Sequence, residues 1–172
     1  ITIDAFQENN VEGWYDSHGT TDINEHGIYG QIDLGINYAS MAIGYEPSEG
    51  ILAEGIVTKI HKLRAGQAYL LSFFLASNTT AGIDAARDVT FNITLLNCSN
   101  YNPAVFGQLP IIDEHQVVFC EYIDMVENSD WKQVVVSFIP DRDYEMVRVY
   151  PSVSDDYDMP TLSWFNFSNP EL

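Results

Sequence analysis

Between Val89 and Leu95 the chain alternates: Val89, Phe91, Ile93 and Leu95 fall on one parity, and Thr90, Asn92 and Thr94 on the other. A period of two marks a half-buried β-strand, because successive side chains leave a pleated backbone on opposite faces. The stretch 131–151 reads as two such strands joined by a charged turn. In the first, Val134, Val136 and Phe138 point inward, with Gln133, Val135 and Ser137 outward; in the second, Val147 and Val149 point inward, with Arg148 and Tyr150 outward. Arg148 is therefore expected on the solvent side of its sheet although two valines flank it.

Further strands are predicted over 1–6, 28–34, 38–45, 51–60, 68–76, 116–123 and 161–167, separated by segments rich in Gly, Asn, Asp and Pro. No stretch carries a sustained helical period, and "TAGIDAARD" has room for one short turn. Many short antiparallel strands without helices predict an all-β, two-sheet antiparallel β-sandwich of the jelly-roll kind. The long connections, 7–27, 99–115 and 152–160, are either crossovers between the sheets or binding loops.

A chain of 172 residues with 46% hydrophobic and 13% aromatic content can bury a good-sized core. One module over 1–168 is expected, with 169–172 as the start of a linker or tail. The net charge of -18, from 25 acidic against 7 basic residues, disfavours nucleic acid and anionic membrane as partners. Lys59, Lys62 and Arg64 cluster in "TKIHKLRAG" and are expected to pair with carboxylates of the same domain. Apolar runs such as "YLLSFFLA" are too short to span a bilayer, so no membrane insertion is expected. Cys98 and Cys120 permit one disulfide or two thiols. Asn78, Asn92, Asn97 and Asn166 open glycosylation sequons, which matter only in a eukaryotic source.

Catalytic constellations are weak. The best is "EYIDMVE", with Glu121, Asp124 and Glu127, but its three-residue step sends Glu121 and Asp124 to opposite faces of a strand. A retaining glycosidase needs two carboxyls about 5 Å apart. His18, His26, His61 and His115 are scattered, and no nucleophile elbow, phosphate loop or zinc helix occurs. No catalytic residue is assigned. "PDRDYE" (Asp141, Asp143, Glu145) reads as a charged hairpin turn, and "SDDYD" (Asp155, Asp156, Asp158) as an acidic loop.

Four landmarks fall in one order along nearly the whole chain: "DAFQENNVEGW", "GIVTKIHKLRAGQAYLLSFFLAS", "WKQVVVSFIP" and "TLSWFNFS". In this order they resemble the carbohydrate-binding modules of the family 4, 9 and 22 group, galactose-binding-like jelly rolls often attached to glycoside hydrolases. The resemblance implies glycan binding across a concave sheet face, with an aromatic from an early strand at the place of Tyr45. It also implies a structural calcium held partly by an Asp-Asn pair in the last strand. Here the matching positions are Phe165 and Asn166, which leaves Asp4 and the carbonyls near Gln7 short of the roughly six to eight oxygens calcium takes. No cofactor is required on this reading, a structural calcium stays open, and the metal ligands are unknown.

Sugars present flat C–H faces ringed by hydroxyls, which suit an aromatic ring beside planar, multi-donor polar groups. The outward parity supplies such types in Phe74, Asn92, Thr94, Arg148 and Tyr150, provided their strands share a sheet. Tyr101 and Phe106, from the long loop after the Asn92 strand, are the expected rim. The expected function is non-catalytic binding of a neutral polysaccharide or oligosaccharide by a module of a larger secreted or cell-surface protein. Other domains of that protein would be its further partners. The alternatives are a structural or adhesive domain of a cell-surface or viral assembly and, behind it, a polysaccharide hydrolase or lyase.

Overall fold

The computed structural model describes residues 14–18, 22–24, 38–46, 50–79, 89–98, 112–122, 131–153 and 163–171. Within them the strands run in the order β1 (Trp14–His18), β2 (Asp22–Asn24), β3 (Tyr38–Glu46), β4 (Gly50–Ala53), β5 (Gly55–Leu63), β6 (Tyr69–Thr79), β7 (Val89–Cys98), β8 (Ile112–Tyr122), β9 (Lys132–Phe138), β10 (Tyr144–Val153) and β11 (Ser163–Glu171). Two antiparallel sheets result. The first has the order β1-β5-β10-β7-β8, and the second β2-β3-β11-β6-β9 with β4 paired to β3. From β5 to β11 the chain changes sheet at every connection except β7 to β8. That wrapping is the expected jelly-roll sandwich. Among the described residues no helix is long and apolar enough to cross a membrane.

The alternation read from the sequence sets the core. Phe91, Ile93, Leu95, Phe119, Val147 and Val149 face inward from the first sheet, and Met41, Ile43, Leu71, Phe73, Leu75 and Phe167 from the second. Phe73 is the hub: its ring lies 5.3 Å from Phe167, 5.6 Å edge-on from Phe119 and 6.2 Å from Phe91. Rings at these separations add attraction beyond their burial, and they tie the two sheets in one register.

Several expected boundaries are corrected. The run 51–60 is two strands in different sheets, parted at Glu54. There the Glu54 amide donates to the Ala42 carbonyl at 2.8 Å, and the Glu54 carboxylate accepts from the Ala42 amide at 2.7 Å. Side chain and backbone together satisfy Ala42, so the chain turns from one sheet into the other without orphaning a buried backbone group. The connection 7–27 contains β1 and β2, β8 begins at Ile112, and β10 continues to Val153. Pro151 is tolerated inside β10 because pairing with β5 ends at Val149↔Ile56, leaving Pro151 paired to β7 alone. The segments 1–6, 28–34 and 80–88 lie outside the described residues, as do Asp4, Gln7, Asp124, Glu127 and Asp155 to Asp158.

"PDRDYE" does more than turn a corner. Asp143 accepts from the Ala65 amide at 2.8 Å and pairs with Arg64 at 3.5 Å, while the Gly66 amide donates to the Pro140 carbonyl at 2.9 Å. The β5–β6 and β9–β10 turns are thereby docked, and Arg64 pairs with an acid of its own domain as expected. Gly66, at φ +73, takes the third position of the Arg64–Gln67 turn, where a left-handed backbone favours glycine. Asp141 accepts a 2.7 Å hydrogen bond from the buried Tyr144 hydroxyl. Half-buried Trp131 meets Tyr38 edge-on at 5.2 Å, an end-sealing contact.

Two outcomes follow. Phe73→Ala should cost about 3–5 kcal/mol by chemical denaturation, whereas Leu70→Ala, on the outer face, should stay within about 0.5 kcal/mol; equal costs would contradict the assigned parity. Burial, then the bond to Asp141, pushes the Tyr144 phenol up to about 12. The unfolded chain therefore loses this proton first, and its contribution to stability falls as pH rises from about 10 toward about 12. Denaturation across that window should show a shallower decline in Tyr144→Phe than in the parent, and identical slopes would contradict it.

Candidate functional site

β10 is the middle strand of the first sheet, so its outward side chains have neighbours on both flanks. Arg148 stands opposite Val57 of β5 and Thr94 of β7, and Tyr150 opposite Asn92. The same register continues outward to Tyr15 of β1, opposite Val57, and to Val117 of β8, opposite Thr94. One transverse row therefore runs Tyr15, Val57, Arg148, Thr94, Val117 across five strands. The next row runs Tyr150, Asn92, Cys120. Arg148, Tyr150, Asn92 and Thr94 thus share one face, as the alternation required.

Arg148 and Tyr150 are half-buried. The Arg148 Cζ lies 4.3 Å from the centroid of the Tyr150 ring, a cation–π contact that holds guanidinium and phenol in one arrangement. Burial draws the Arg148 pKa below the ordinary arginine value, with Tyr150 and then Cys98 opposing it. The group nevertheless keeps its charge at neutral pH. The Tyr150 hydroxyl reaches Thr94 Oγ1 at 3.5 Å.

Beneath them lies a polar floor. Asn92 is 5% exposed and Thr94 4% exposed. Asn92 Nδ2 donates to Ser152 Oγ at 2.8 Å and lies 3.4 Å from the Thr90 and Tyr150 carbonyls, while Thr90 Oγ1 and Ser152 Oγ are 2.7 Å apart. Two carbonyl oxygens beside this nitrogen fix the amide orientation, since a carbonyl needs a donor. Asn92 and Thr94 therefore support the face from below, with the Asn92 nitrogen spent inside the sheet. The sequon nitrogens of Asn92 and Asn97 are both engaged, the latter with the Asp143 carbonyl at 2.9 Å and Glu114 at 3.2 Å. Buried Val57, Leu96 and Met146, with Cys98 against them, form an apolar cluster on the same face.

Phe74 is corrected. It lies on β6 in the second sheet, paired with Ser168 and Gln133, on the opposite outer surface of the sandwich. Its strand reads as apolar on both faces, and nothing in a two-residue period says which neighbours a strand will take. Tyr45 also belongs to the second sheet, opposite Ile51. Tyr101 and Phe106 lie outside the described residues. Sequence reasoning misses Ser152, because Pro151 reads as the end of a strand, and the Tyr15 register position, because 7–27 reads as a connection.

Cys98 and Cys120 are free thiols. Burial, then the charge of Asp113, raises the Cys98 pKa against the lowering effect of Arg148, so this thiol is not activated. Glu121 is exposed on β8 opposite Phe91. Among the described residues no group of three His, Cys, Asp or Glu could hold a metal, and β11 carries Phe165 before Asn166; Asp4 and Gln7 lie outside the described residues.

No protein-family model matches the chain, and no curated protein matches it in sequence. Solved structures do resemble it. The CBM22-1 xylan-binding domain of Xyn10C from Paenibacillus barcinonensis aligns with a TM-score of 0.54 at 14% identity, over 97% of this chain and 88% of that one. CBM28, a carbohydrate-binding module specific for non-crystalline cellulose, gives 0.56 at 15% identity, over 97% and 90%. The family 11 carbohydrate-binding module of Clostridium thermocellum, in complex with a β-1,3-1,4-mixed-linked tetrasaccharide, gives 0.53 at 16% identity, over 99% and 93%. At such identities the likeness establishes the architecture: this chain has the jelly-roll sandwich fold of carbohydrate-binding modules.

Proposed function

We propose that this domain binds a neutral polysaccharide or oligosaccharide across the outer face of its first sheet, without catalysis, as a module of a larger secreted or cell-surface protein. The observation that carries the reading is the Arg148–Tyr150 pair at the centre of that face, 4.3 Å from guanidinium carbon to ring centroid. A phenol ring offers a surface for sugar C–H groups, and a guanidinium offers a planar fork of donors for hydroxyls. Their mutual contact and the floor of Asn92, Thr94, Thr90 and Ser152 hold both in place before a ligand arrives, which lowers the ordering cost of binding. The fold shared with a xylan-binding domain, a module specific for non-crystalline cellulose and a module in complex with a mixed-linked tetrasaccharide supports the same class of ligand.

Binding on this reading uses hydrogen bonds and ring contact alone and needs no cofactor. In the sequence the three-residue step from Glu121 to Asp124 sends the two acids to opposite faces of a strand, which supports a binding role over glycosidic bond cleavage. The acidic balance of the chain, -18, likewise supports an uncharged glycan over a polyanion.

A glycan array covering neutral plant and microbial polysaccharides should give specific signals that chelator leaves unchanged. Arg148→Ala and Tyr150→Ala should each weaken binding by about tenfold or more with the circular dichroism spectrum intact. A blank array, or full binding by both folded variants, would contradict the reading.

A further inference from the structure

Among the described residues the second sheet ends on β9, and no described strand pairs with its outer edge. Among the described residues Gln133 to Phe138 pair with β6 alone, in a regular register without a bulge. Unpaired backbone donors and acceptors on an edge strand are a template for another strand, and proteins ordinarily guard such edges with charge, irregularity or shortness. The other edges carry those guards. β8 holds Asp113, Glu114 and Glu121 and shifts register twice against β7. β1 contains Asp16 and a register shift, β2 is three residues long with Asp22, and β4 is four residues long. β9 has Lys132 at its start and then no charge, proline or glycine through Phe138.

Its side chains are also self-complementary. Around Val135 the sequence is symmetric in character: Val134 and Val136 face inward and remain half-buried, while Gln133 and Ser137 face outward and are exposed. Val135 is 61% exposed and stands opposite Ser72, with Leu70, 63% exposed, diagonal to it opposite Ser137. In a chain carrying -18, β9 itself has no carboxylate, so two copies can meet along it without direct repulsion between acids of the strand.

We propose that two copies of this domain associate by antiparallel pairing of their β9 strands, about a two-fold axis at Val135. Val135 then lies opposite the partner's Val135, Val134 opposite the partner's Val136, Gln133 opposite the partner's Ser137, and Lys132 opposite the partner's Phe138. The inner Val134–Val136 pairs close the flank of each core, the outer face carries the Val135–Val135 pair between two Gln133–Ser137 pairs, and no like charges face one another. An antiparallel two-fold of this kind stands normal to the sheet, so the joined second sheets are continuous. Both first-sheet faces then point the same way. Bivalent glycan capture is a consequence that rests on the glycan reading; the dimer does not.

Sedimentation velocity without glycan should show a concentration-dependent shift from monomer to dimer, strengthened by salt, which screens the shared negative charge. Val135→Lys should weaken association by about tenfold or more with an unchanged circular dichroism spectrum. In a Cys120→Ser background, Val135→Cys should cross-link under mild oxidation, because directly opposed Cα atoms lie about 4.5–5.5 Å apart, within disulfide reach. Ser137→Cys, facing the partner's Gln133, should not. A monomer at every concentration, association that survives Val135→Lys, or equal cross-linking of both cysteine variants would overturn the proposal.

Discussion

The aromatic contact of Phe73 with Phe91, Phe119 and Phe167 is the constraint on which the rest of the sandwich depends. It joins β6 and β11 of one sheet to β7 and β8 of the other, so it sets both the packing of the layers and the parity of each strand. A strand slipped by one residue would drive its aromatic into water and its polar partner into the core. Once Phe91 and Ile93 are inside, Asn92 and Thr94 must be outside their sheet, and the pairing Arg148↔Thr94 carries the same choice to β10. The candidate glycan face is in this sense a product of the core.

Charge then differentiates the surfaces. An acidic chain with few cations places one arginine at the middle of its first sheet, against a tyrosine ring and above a hydrogen-bonded floor. Desolvating a guanidinium is costly, and the cation–π contact offsets part of that cost by about 0.5–2 kcal/mol. Elsewhere cations serve structure: Arg64 and Arg142 bind Asp143 and Glu114 where the turns dock. The β9 edge, without a carboxylate, lies on the other sheet, so the proposed glycan face and the proposed self-association edge occupy separate surfaces.

Much of this is legible in the chain because alternation is local. Residues 89–95, 132–138 and 146–150 carry their inside and outside in their own order of side chains, which is why the amino-acid sequence alone puts Arg148, Tyr150, Asn92 and Thr94 on one parity. What a period cannot carry is partnership. Phe74 sits on a strand whose alternation is masked by apolar residues on both faces, and β6 pairs with β9 and β11 rather than β7. The sheet change at Glu54 is likewise hidden, because apolar residues continue on both sides and the decisive contact is with Ala42, twelve residues away. The role of Asn92 is not legible either: its amide is consumed by Ser152, far along the chain.

The most direct measurement is a nuclear magnetic resonance titration of the isotopically labelled domain with neutral cello-, xylo- and mixed-linked gluco-oligosaccharides. Saturable shifts are expected at the Arg148 side chain and the backbone amides of β5, β10 and β7 around Val57, Tyr150 and Thr94, with β6 and β9 unmoved. Shifts confined to Leu70, Phe74 and Val135, or spread without saturation for every sugar, would contradict the proposed glycan face.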